Sequence, residues 1–498
     1  MTAFLAALAY RLGSPLLRVL HATGLYSGPP SWRSFDAWRW YVGRFGAWIR
    51  FQSTARRVPA YREFLSKEMT GNPLSVFALG ALPSTDKANY VKQYSLEARC
   101  IDGVLPVHGV VIDESSGSSG VATNWVRGNA ERRANRRTII WGLRQRLGDG
   151  PHLFINAFAL GPWATGINLT LALASWGRIK TTGPDVTKIG NTLRQFGASH
   201  HFVIMGYPPF LKQLVDRADV EWTQFNVSMI FGGEGMSESM RRYLQERGVA
   251  RVYGSYGASD LELNIAAETE LTIAVRRLLE SRPALAARVL QHVGAMPMIF
   301  QFNPADFFLE TNVDGEILAT VCRPDYLSPK VRYNIHDLGH VLPYSELERL
   351  LAEEQVSLAE LAGEHLALPL LFHYGRSDQS VAYYGCKIPP ADIQESLFRL
   401  PELAKAVDAF QLHTFDDGDG DKRLVVRLEV TQDMLAEAAA EWGARLFDVL
   451  AVVNQDFRES RKMVPAGKGP SVEFVEVGSG VFEGADIRIK RVYVAKGA

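Results

Sequence analysis

A run of serines and glycines is the segment of this sequence best suited to bind phosphate. Residues 115–120 read Ser-Ser-Gly-Ser-Ser-Gly and follow the apolar stretch VHGVVI. Glycine permits positive φ and close approach, so such a loop can turn backbone N–H groups and hydroxyls onto phosphate oxygens. No lysine completes a GxxxxGK[ST] pattern, which excludes a Walker A loop. A flexible connector has the same composition, so the segment alone leaves both interpretations open.

Two glycine-rich turns could hold the rest of a nucleotide. Residues 231–234 (FGGE) end one apolar strand, and the next strand runs into residues 253–260 (YGSYGASD). An aromatic ring at such a position can stack on a planar base, and an acid can hold a metal ion beside its phosphates. A pair of ordinary turns between strands and helices is the alternative. Further on, Asp337 in RYNIHD and Asp378 in GRSD each follow an arginine, and each taken singly predicts a structural salt bridge.

The order of these segments resembles that of the phenylacetate-CoA ligase branch of the adenylate-forming superfamily, which includes acyl-CoA synthetases, adenylation domains and luciferases. SSGSSG, GGEG, YGASD, RYNIHD and GRSDQ are similar to the family's phosphate loop, GAEP-like turn, aromatic-Gly-x-Ser/Thr-Glu box, RYRTGD box and GRSDD hinge. YYGCKIPPADIQE resembles the IRGVNVFPSQIEE stretch after the hinge, and LPSTDKANYV resembles LPFTTKEDL near the start. The likeness extends from about residue 60 to the end of the sequence.

The resemblance implies a role for each matched residue. Asp337 would bind the ribose hydroxyls with Arg376 beside it, and Tyr256 would stack on adenine. Asp260 takes the place of the glutamate that helps to hold Mg²⁺, and Asp378 would be the hinge of a mobile C-terminal domain. The remaining matches are the phosphate loop (Ser115, Ser116, Gly117, Ser118, Ser119, Gly120), the adenine and acyl sites (Gly232, Gly233, Glu234, Gly257) and the acyl pocket (Trp163, Tyr207).

Three departures from the family pattern bear on the reaction. Val121 stands where a lysine usually follows the phosphate loop, and Asp260 is one methylene shorter than the usual glutamate, unless Glu262 substitutes for it. The family's GKAKRVI tail aligns with residues 487–492 and puts Arg488 at the catalytic lysine position. Lys490 is the rival and the preferred candidate, because a shift of two residues in an extended segment restores the same face.

The alternation of apolar and amphipathic segments around these residues predicts an α/β fold. Short apolar runs such as HFVIM, VSMIF and RVYGSY alternate with amphipathic stretches such as NTLRQFG and SESMRRYLQERG. We therefore expect a large N-terminal AMP-binding domain over residues 1–375, with β-sheets flanked by helices. A small, mobile α+β domain is expected over residues 376–498, with AFQLHTF and RLVVRLEV as two strands, a helix after them, and SVEFVEV as a further strand.

Composition narrows the class of protein. The 54 basic and 54 acidic residues give a net charge of zero, which argues against nucleic acid as a partner. Three widely spaced cysteines indicate a reducing, cytoplasmic location. The pattern of residues 1–24 predicts an amphipathic helix packed on the protein. Arg11 and Arg18 interrupt its apolar run, so no transmembrane segment is expected. Peripheral contact of this helix with a membrane stays open.

We therefore expect an ATP- and Mg²⁺-dependent, AMP-forming acid–thiol ligase. It would adenylate a small-molecule carboxylic acid, aromatic or otherwise apolar, and pass the acyl group to CoA in a second pose of the C-terminal domain. One alternative keeps adenylation but uses a carrier-protein thiol, an amine or another nitrogen nucleophile as acceptor. A second alternative is a non-catalytic nucleotide-binding homologue, and a third is a peripheral membrane protein acting on fatty acids. Both a monomer and a homodimer are compatible with the sequence.

Overall fold

The computed structural model describes residues 2–114, 123–291, 296–324, 326–376, 380–384, 386–417, 422–431, 439–462, 464, 467–483 and 493–495. The helices are α1 Thr2–Thr23, α2 Asp36–Arg57, α3 Pro59–Glu68, α4 Asn129–Leu147, α5 Ala164–Leu173, α6 Val186–Phe196, α7 Pro208–Arg217, α8 Glu238–Glu246, α9 Glu270–Ser281, α10 Pro283–Val289, α11 Tyr344–Glu353, α12 Leu358–Ala362, α13 Pro390–Phe398, α14 Pro401–Ala406, α15 Ala439–Val453 and α16 Gln455–Ser460. The strands are β1 Val110–Glu114, β2 Asn124–Gly128, β3 His152–Asn156, β4 Arg178–Thr181, β5 His201–Gly206, β6 Asn226–Gly232, β7 Arg251–Tyr256, β8 Ala266–Ala267, β9 Met298–Gln301, β10 Phe307–Thr311, β11 Glu316–Val321, β12 Tyr333–Leu342, β13 Leu370–Arg376, β14 Val381–Tyr383, β15 Cys386–Ile388, β16 Val407–Asp416, β17 Lys422–Val430 and β18 Ser471–Glu476.

One large sheet organises most of the chain. Its strand order is β10-β11-β12-β13-β9-β8-β7-β6-β5-β3-β4, and β4, β3, β5, β6 and β7 run parallel while the pairs from β7 to β10 are antiparallel. The apolar runs HFVIM, VSMIF and RVYGSY form β5, β6 and β7. The amphipathic stretches form α6, which precedes β5, and α8, which lies between β6 and β7. These features confirm the predicted α/β class. Because parallel strands end at one edge of a sheet, the turns after β6 and β7 meet there.

The chain after β13 builds a smaller α+β unit with a core of its own. Strands β16 and β17 pair antiparallel, and β18 pairs parallel with β17 after the helix α15. Leu412, Leu428, Leu446 and Phe457 are among the buried side chains that form this second core. The predicted strands and helix of this unit are present, and the boundary near residue 376 stays a prediction.

Helix α1 packs on the large unit by one face only. Ala6 and Leu17 are buried, and a Cβ on Gly13 would lie 2.3 Å from the Phe45 ring, so α1 sits closely on α2. Within the described residues α1 is also the one helix that is long and apolar enough, by length and composition, to cross a membrane, because two arginines in 21 residues leave the segment apolar. The expectation that Arg11 and Arg18 rule out a membrane span therefore stays a prediction.

Candidate functional site

A cavity of about 1320 Å³ lies where the sequence motifs converge. The turns after β6 and β7, the facing segments of β12 and β13, and residues of the smaller unit around α13 all contribute to its wall. The described residues predicted from the sequence that line it are Trp163, Tyr207, Gly232, Gly233, Glu234, Tyr256, Gly257, Asp260, Asp337 and Arg376.

The turn after β6 requires glycine at residue 233. Gly233 has φ +83°, and a Cβ there would lie 2.4 Å from the Tyr207 ring. Tyr207 in turn contacts Phe158 edge to face, with ring centroids 5.1 Å apart. Burial, and secondarily the Glu234 carboxylate, raise the pKa of Tyr207 to about 12. Tyr207, at the start of α7, thus places a neutral phenol at the cavity wall, and the turn after β6 passes beside it at a residue that has no side chain.

Glu234 is joined to the end of the described chain. The Tyr493 hydroxyl donates a hydrogen bond of 2.6 Å to Glu234 Oε2, and Tyr493 and Val494 line the cavity. Sequence reasoning missed Tyr493, which follows directly after the stretch of residues 487–492 matched to the family tail. Lys490 and Arg488 lie outside the described residues, as do the loop of residues 115–120 and Asp378.

Tyr256 and Asp337 form one hydrogen-bonded pair on neighbouring walls of the cavity. The buried Tyr256 hydroxyl donates to Asp337 Oδ2 at 2.8 Å, and His373 Nε2 lies 3.1 Å from the same oxygen. Burial and the Asp337 charge raise the pKa of Tyr256 well above its usual value, so its hydroxyl stays a donor. Asp337 is opposite Arg376 in the β12–β13 register, so Arg376 lies beside it. Binding of ribose by Asp337 stays a prediction.

Asp260 is held by a tyrosine and a lysine. Its Oδ2 accepts a hydrogen bond of 2.9 Å from the Tyr333 hydroxyl, and its Oδ1 lies 3.1 Å from Lys87 Nζ. Glu262, the possible substitute for it, is fully buried, accepts a hydrogen bond from the Tyr326 hydroxyl, and lies outside the cavity wall. Glu262 thus belongs to a buried network rather than to the cavity wall, and Asp260 stays the predicted metal ligand.

Lys87 is a cavity residue to which sequence reasoning gave no role. It begins a short π-helical turn, Lys87–Val91, capped by Asp86, whose side chain accepts from the Asn89 backbone. The signal was present in the match of LPSTDKANYV to an early family segment. Only the fold shows that this segment, more than 170 residues before Asp260, supplies a cation to the same site.

A buried arginine fixes the strand that precedes the serine-glycine loop. Arg127 Nε donates to Asp113 at 2.8 Å, and its Nη groups donate to the carbonyls of Leu261 (3.0 Å) and Ser259 (2.7 Å). Asn168 Nδ2 donates to both Asp113 oxygens at 3.0 Å. The end of β1 is thereby tied to the segment that carries Asp260, although the two are far apart in sequence.

The donor set is compatible with Mg²⁺ held largely by a nucleotide. Magnesium in nucleotide sites is commonly bound by one or two carboxylates together with phosphate oxygens. Asp260 offers one carboxylate on the cavity wall, and its Oδ1 faces a cation, Lys87, already. Among the described residues, no group of three or more His, Cys, Asp or Glu side chains is arranged to hold a metal ion without such help.

Comparison with known proteins gives a fold but no sequence family. No protein-family model and no curated protein matches this chain. Its structure is similar to 2-hydroxyisobutyryl-CoA ligase in the postadenylation state with R3-HIB-AMP, with TM-score 0.64, 15% identity, and 95% of this chain and 91% of that chain covered. The same ligase in its thioesterification state, with 2-HIB-AMP and CoA, gives TM-score 0.51, 15% identity, and coverage of 94% and 91%. The phenylacetate-CoA ligase branch stays a prediction, and the chain has the fold of the adenylate-forming CoA ligases.

Proposed function

We propose that this protein is an AMP-forming acid–thiol ligase. A carboxylate oxygen would attack the α-phosphorus of ATP, forming the acyl–phosphate bond and releasing pyrophosphate. The CoA thiol, losing its proton, would then attack the acyl carbon and release AMP. One observation carries the proposal: described residues from five of the matched motifs, namely GGEG, YGASD, RYNIHD, GRSDQ and YYGCKIPPADIQE, border one cavity.

The nucleotide would occupy the side of the cavity formed by Tyr256 and Asp337. Asp337 has hydrogen-bonding capacity for ribose hydroxyls, and the Tyr256 hydroxyl orients it through the bond of 2.8 Å. Asp260 would hold Mg²⁺, which neutralises phosphate charge when bound. Lys87 would then donate to a phosphate oxygen and supply the positive charge of the family lysine whose position Val121 occupies. The serine-glycine loop of residues 115–120 would cover the phosphates.

The acid would lie between the turn after β6 and the layer of helices. Gly232, Gly233, Trp163 and Tyr207 border this region, and apolar side chains continue it: Ile139, Leu143, Phe158, Met205, Ile230 and Leu263. An apolar lining with few polar groups suits an aromatic or otherwise apolar acyl group and excludes water from the acyl-adenylate.

The second half-reaction would require the smaller unit to turn about Asp378. In the present arrangement, Ser239 Oγ on α8 donates to Glu395 Oε1 on α13 at 2.8 Å, and Tyr493 donates to Glu234. Lys490, or Arg488 in its place, would stabilise the charge that develops during adenylation. The higher TM-score against the postadenylation state than against the thioesterification state of the same ligase supports an arrangement suited to the first half-reaction.

Pyrophosphate release tests the proposal directly. The assay combines the protein, ATP and Mg²⁺ with aryl, arylacetic, cinnamic, dicarboxylic and fatty acids, each with and without CoA. We expect release with at least one acid class and a CoA-dependent rise in turnover. Asp337→Ala should raise the ATP concentration needed for half-maximal rate about 10- to 100-fold, since a charge-assisted hydrogen bond is lost. Asp219→Ala, at a fully exposed carboxylate, is the matched control. ATP binding without release across the panel would favour the non-catalytic homologue.

A further inference from the structure

An arginine that lines the cavity has a nitrogen without a hydrogen-bond partner in the described part of the structure. Arg146, near the end of α4, lines the cavity and is 9% exposed. Its Nε donates to the Gly142 carbonyl at 2.8 Å. Its buried Nη1 group has no hydrogen-bond partner among the described residues. A buried donor of this kind is uncommon, because burial without a partner is unfavourable.

The charge of Arg146 is also without a close counter-charge in the described part of the chain. The acid in its electrostatic environment is Glu268, and both Glu268 oxygens already accept bonds from Arg241, at 2.7 and 2.9 Å. The guanidinium lies 6.0 Å from the centroid of the Tyr253 ring, a weak cation–π contact. Burial lowers the pKa of Arg146 to about 10, so the group is still charged at neutral pH.

Apolar side chains accompany this arginine along the face of α4 that lines the cavity. Ile139 and Leu143 precede Arg146 at helical spacing on the same face of α4, and all three line the cavity. The amide of Asn264 lies beside it: the position of a Cβ on Gly142 is 3.3 Å from Arg146 Nη2 and 3.8 Å from Asn264 Nδ2. The Asn264 oxygen accepts from Ser255 Oγ at 2.9 Å, which leaves its NH₂ group on the side of Arg146.

We propose that Arg146 and Asn264 bind a second carboxylate at the far end of the acid substrate. The substrate is then a dicarboxylic acid whose two carboxylates are separated by an apolar spacer, aromatic or linear. This inference rests on the proposed function, because it takes the cavity as the acyl site. Guanidinium and carboxylate form paired hydrogen bonds, and an incoming carboxylate would supply both the partner and the counter-charge that Arg146 lacks.

Binding of acyl-adenylate analogues tests this inference without turnover. The probes are non-hydrolysable acyl sulfamates of adenosine made from aromatic and linear diacids of several lengths, each paired with the isostere in which methyl replaces the remote carboxylate. We expect at least one diacid probe to bind about 10- to 100-fold more tightly than its isostere, the range for one charge-assisted contact. Arg146→Met should remove that ratio, and Arg146→Lys should restore part of it.

The outcomes separate this inference from the proposed function. Failure of both probes and of the unacylated sulfamate to bind would refute the nucleotide site itself. Binding of every diacid and isostere pair with equal affinity would refute the role of Arg146 and leave the proposed function standing. Arg146→Met should keep or raise the melting temperature, because an unpaired buried charge is removed; a large loss of thermal stability would indicate a structural arginine instead.

A separate observation concerns the outer face of α1. Phe4, Leu8, Leu12, Leu16 and Val19 are exposed there, between 45% and 71%, at helical spacing. Leu25, Trp32, Trp38 and Tyr41 continue the exposed apolar surface, with the Trp38 indole donating to the Leu25 carbonyl at 3.3 Å. Ten of the 22 exposed large apolar side chains of the described residues thus fall in the first 41 residues, so the apolar surface is concentrated in one place.

The charge of this segment identifies its partner. Residues 1–35 contain Arg11, Arg18 and Arg33 and no aspartate or glutamate; Arg33 forms an ion pair of 2.9 Å with Glu348, so Arg11 and Arg18 carry the net positive charge of this surface. Exposed apolar side chains, aromatic rings and basic groups without acids are the combination that binds at the surface of an anionic bilayer. We infer that the outer face of α1 and the neighbouring aromatic residues dock on an anionic lipid surface, with α1 lying along it because its inner face is packed on α2.

Vesicle co-sedimentation of the full chain tests the lipid inference. We expect binding to phosphatidylcholine vesicles containing phosphatidylglycerol, and at least tenfold weaker partitioning to phosphatidylcholine alone. Leu12→Glu should reduce binding at least tenfold, whereas Val313→Glu, at a fully exposed apolar residue in the turn between β10 and β11, should not. Absence of binding to either vesicle would overturn the inference. So would a dimeric mass in light scattering that Leu12→Glu converts to a monomer, since a second copy would then cover the face.

Discussion

Replacing Lys87 with methionine should slow pyrophosphate release without unfolding the protein. Methionine keeps an unbranched side chain of similar length and removes the charge. Lys87 Nζ lies 3.1 Å from Asp260 Oδ1, and the side chains are 35% and 10% exposed. The variant therefore removes a cation from the side of the cavity where phosphate charge would develop.

The magnitude follows from the geometry of this pair. Two unit charges 3.1 Å apart interact by about 5 kcal/mol at an effective dielectric of about 20, before desolvation is subtracted. Measured losses of a single group that stabilises developing charge are about 2–4 kcal/mol. The rate of pyrophosphate release should therefore fall by about 30- to 1000-fold. The free energy of unfolding should change by at most about 1 kcal/mol, because Lys87 is partly exposed to solvent.

A single-turnover assay with enzyme in excess over ATP isolates this step from product release. The control is Lys67→Met, which removes an exposed lysine that pairs with Glu63 on α3. Raising Mg²⁺ should restore part of the lost rate if Lys87 and the ion neutralise the same phosphate charge. A Lys87→Met protein that releases pyrophosphate within threefold of the wild-type rate, with unchanged melting temperature, would refute the role assigned to Lys87.

Three further predictions address the buried ion pairs of Arg127, the carboxyl of Asp392 in the smaller unit, and the two candidates for the catalytic position near the end of the sequence. Arg127→Met leaves three buried carboxylates without their shared cation, so the free energy of unfolding in urea titrations should fall by about 3–5 kcal/mol; a change below about 1 kcal/mol would contradict this. Burial raises the pKa of Asp392 from 3.8 to about 7, so ionisation of this carboxyl lowers the stability of the folded protein as pH rises from about 4 to about 7. The gain in melting temperature from Asp392→Asn should therefore grow over that interval and stay constant above it. A gain that does not depend on pH would refute the assignment. Lys490→Ala should suppress pyrophosphate release and Arg488→Ala should leave most of it, and the reverse result would assign the catalytic position to Arg488.

The sequence predicts those parts of the fold that local pattern determines. The strands β5, β6 and β7 follow from short apolar runs, and α6 and α8 from amphipathic spacing, since each pattern reports which face of the element is buried. The antiparallel strands beyond β8 were not foreseen, because their pairing joins segments far apart in the chain. In the same way, RYNIHD predicted an acid at the site, but the bond from Tyr256 to Asp337 depends on strands brought together by the sheet.

Residues of the candidate site that belong to motifs were predicted from the sequence, whereas isolated residues that line the same cavity were not. Gly233 and Asp260 belong to recognisable turns and line the cavity as expected. Arg146 and Tyr493 lie in no motif. The role proposed for Arg146 depends on the burial of its Nη1, which has no hydrogen-bond partner among the residues that the structure describes. A surface arginine at the end of a helix has the same sequence context, so no pattern distinguishes the two.

The departures from the family pattern are better understood in three dimensions than along the chain. Val121 removes a cation next to the phosphate loop, yet Lys87 brings one to Asp260 from a segment that precedes the loop. Asp260 is a methylene shorter than glutamate, and the Tyr333 hydroxyl at 2.9 Å fixes its carboxylate at the cavity wall. Each substitution thus has a neighbour that restores the charge or the orientation it would otherwise lose. A cation and a fixed carboxylate are the groups that stabilise charge developing on a phosphate, so their presence at the cavity favours adenylation over nucleotide binding alone.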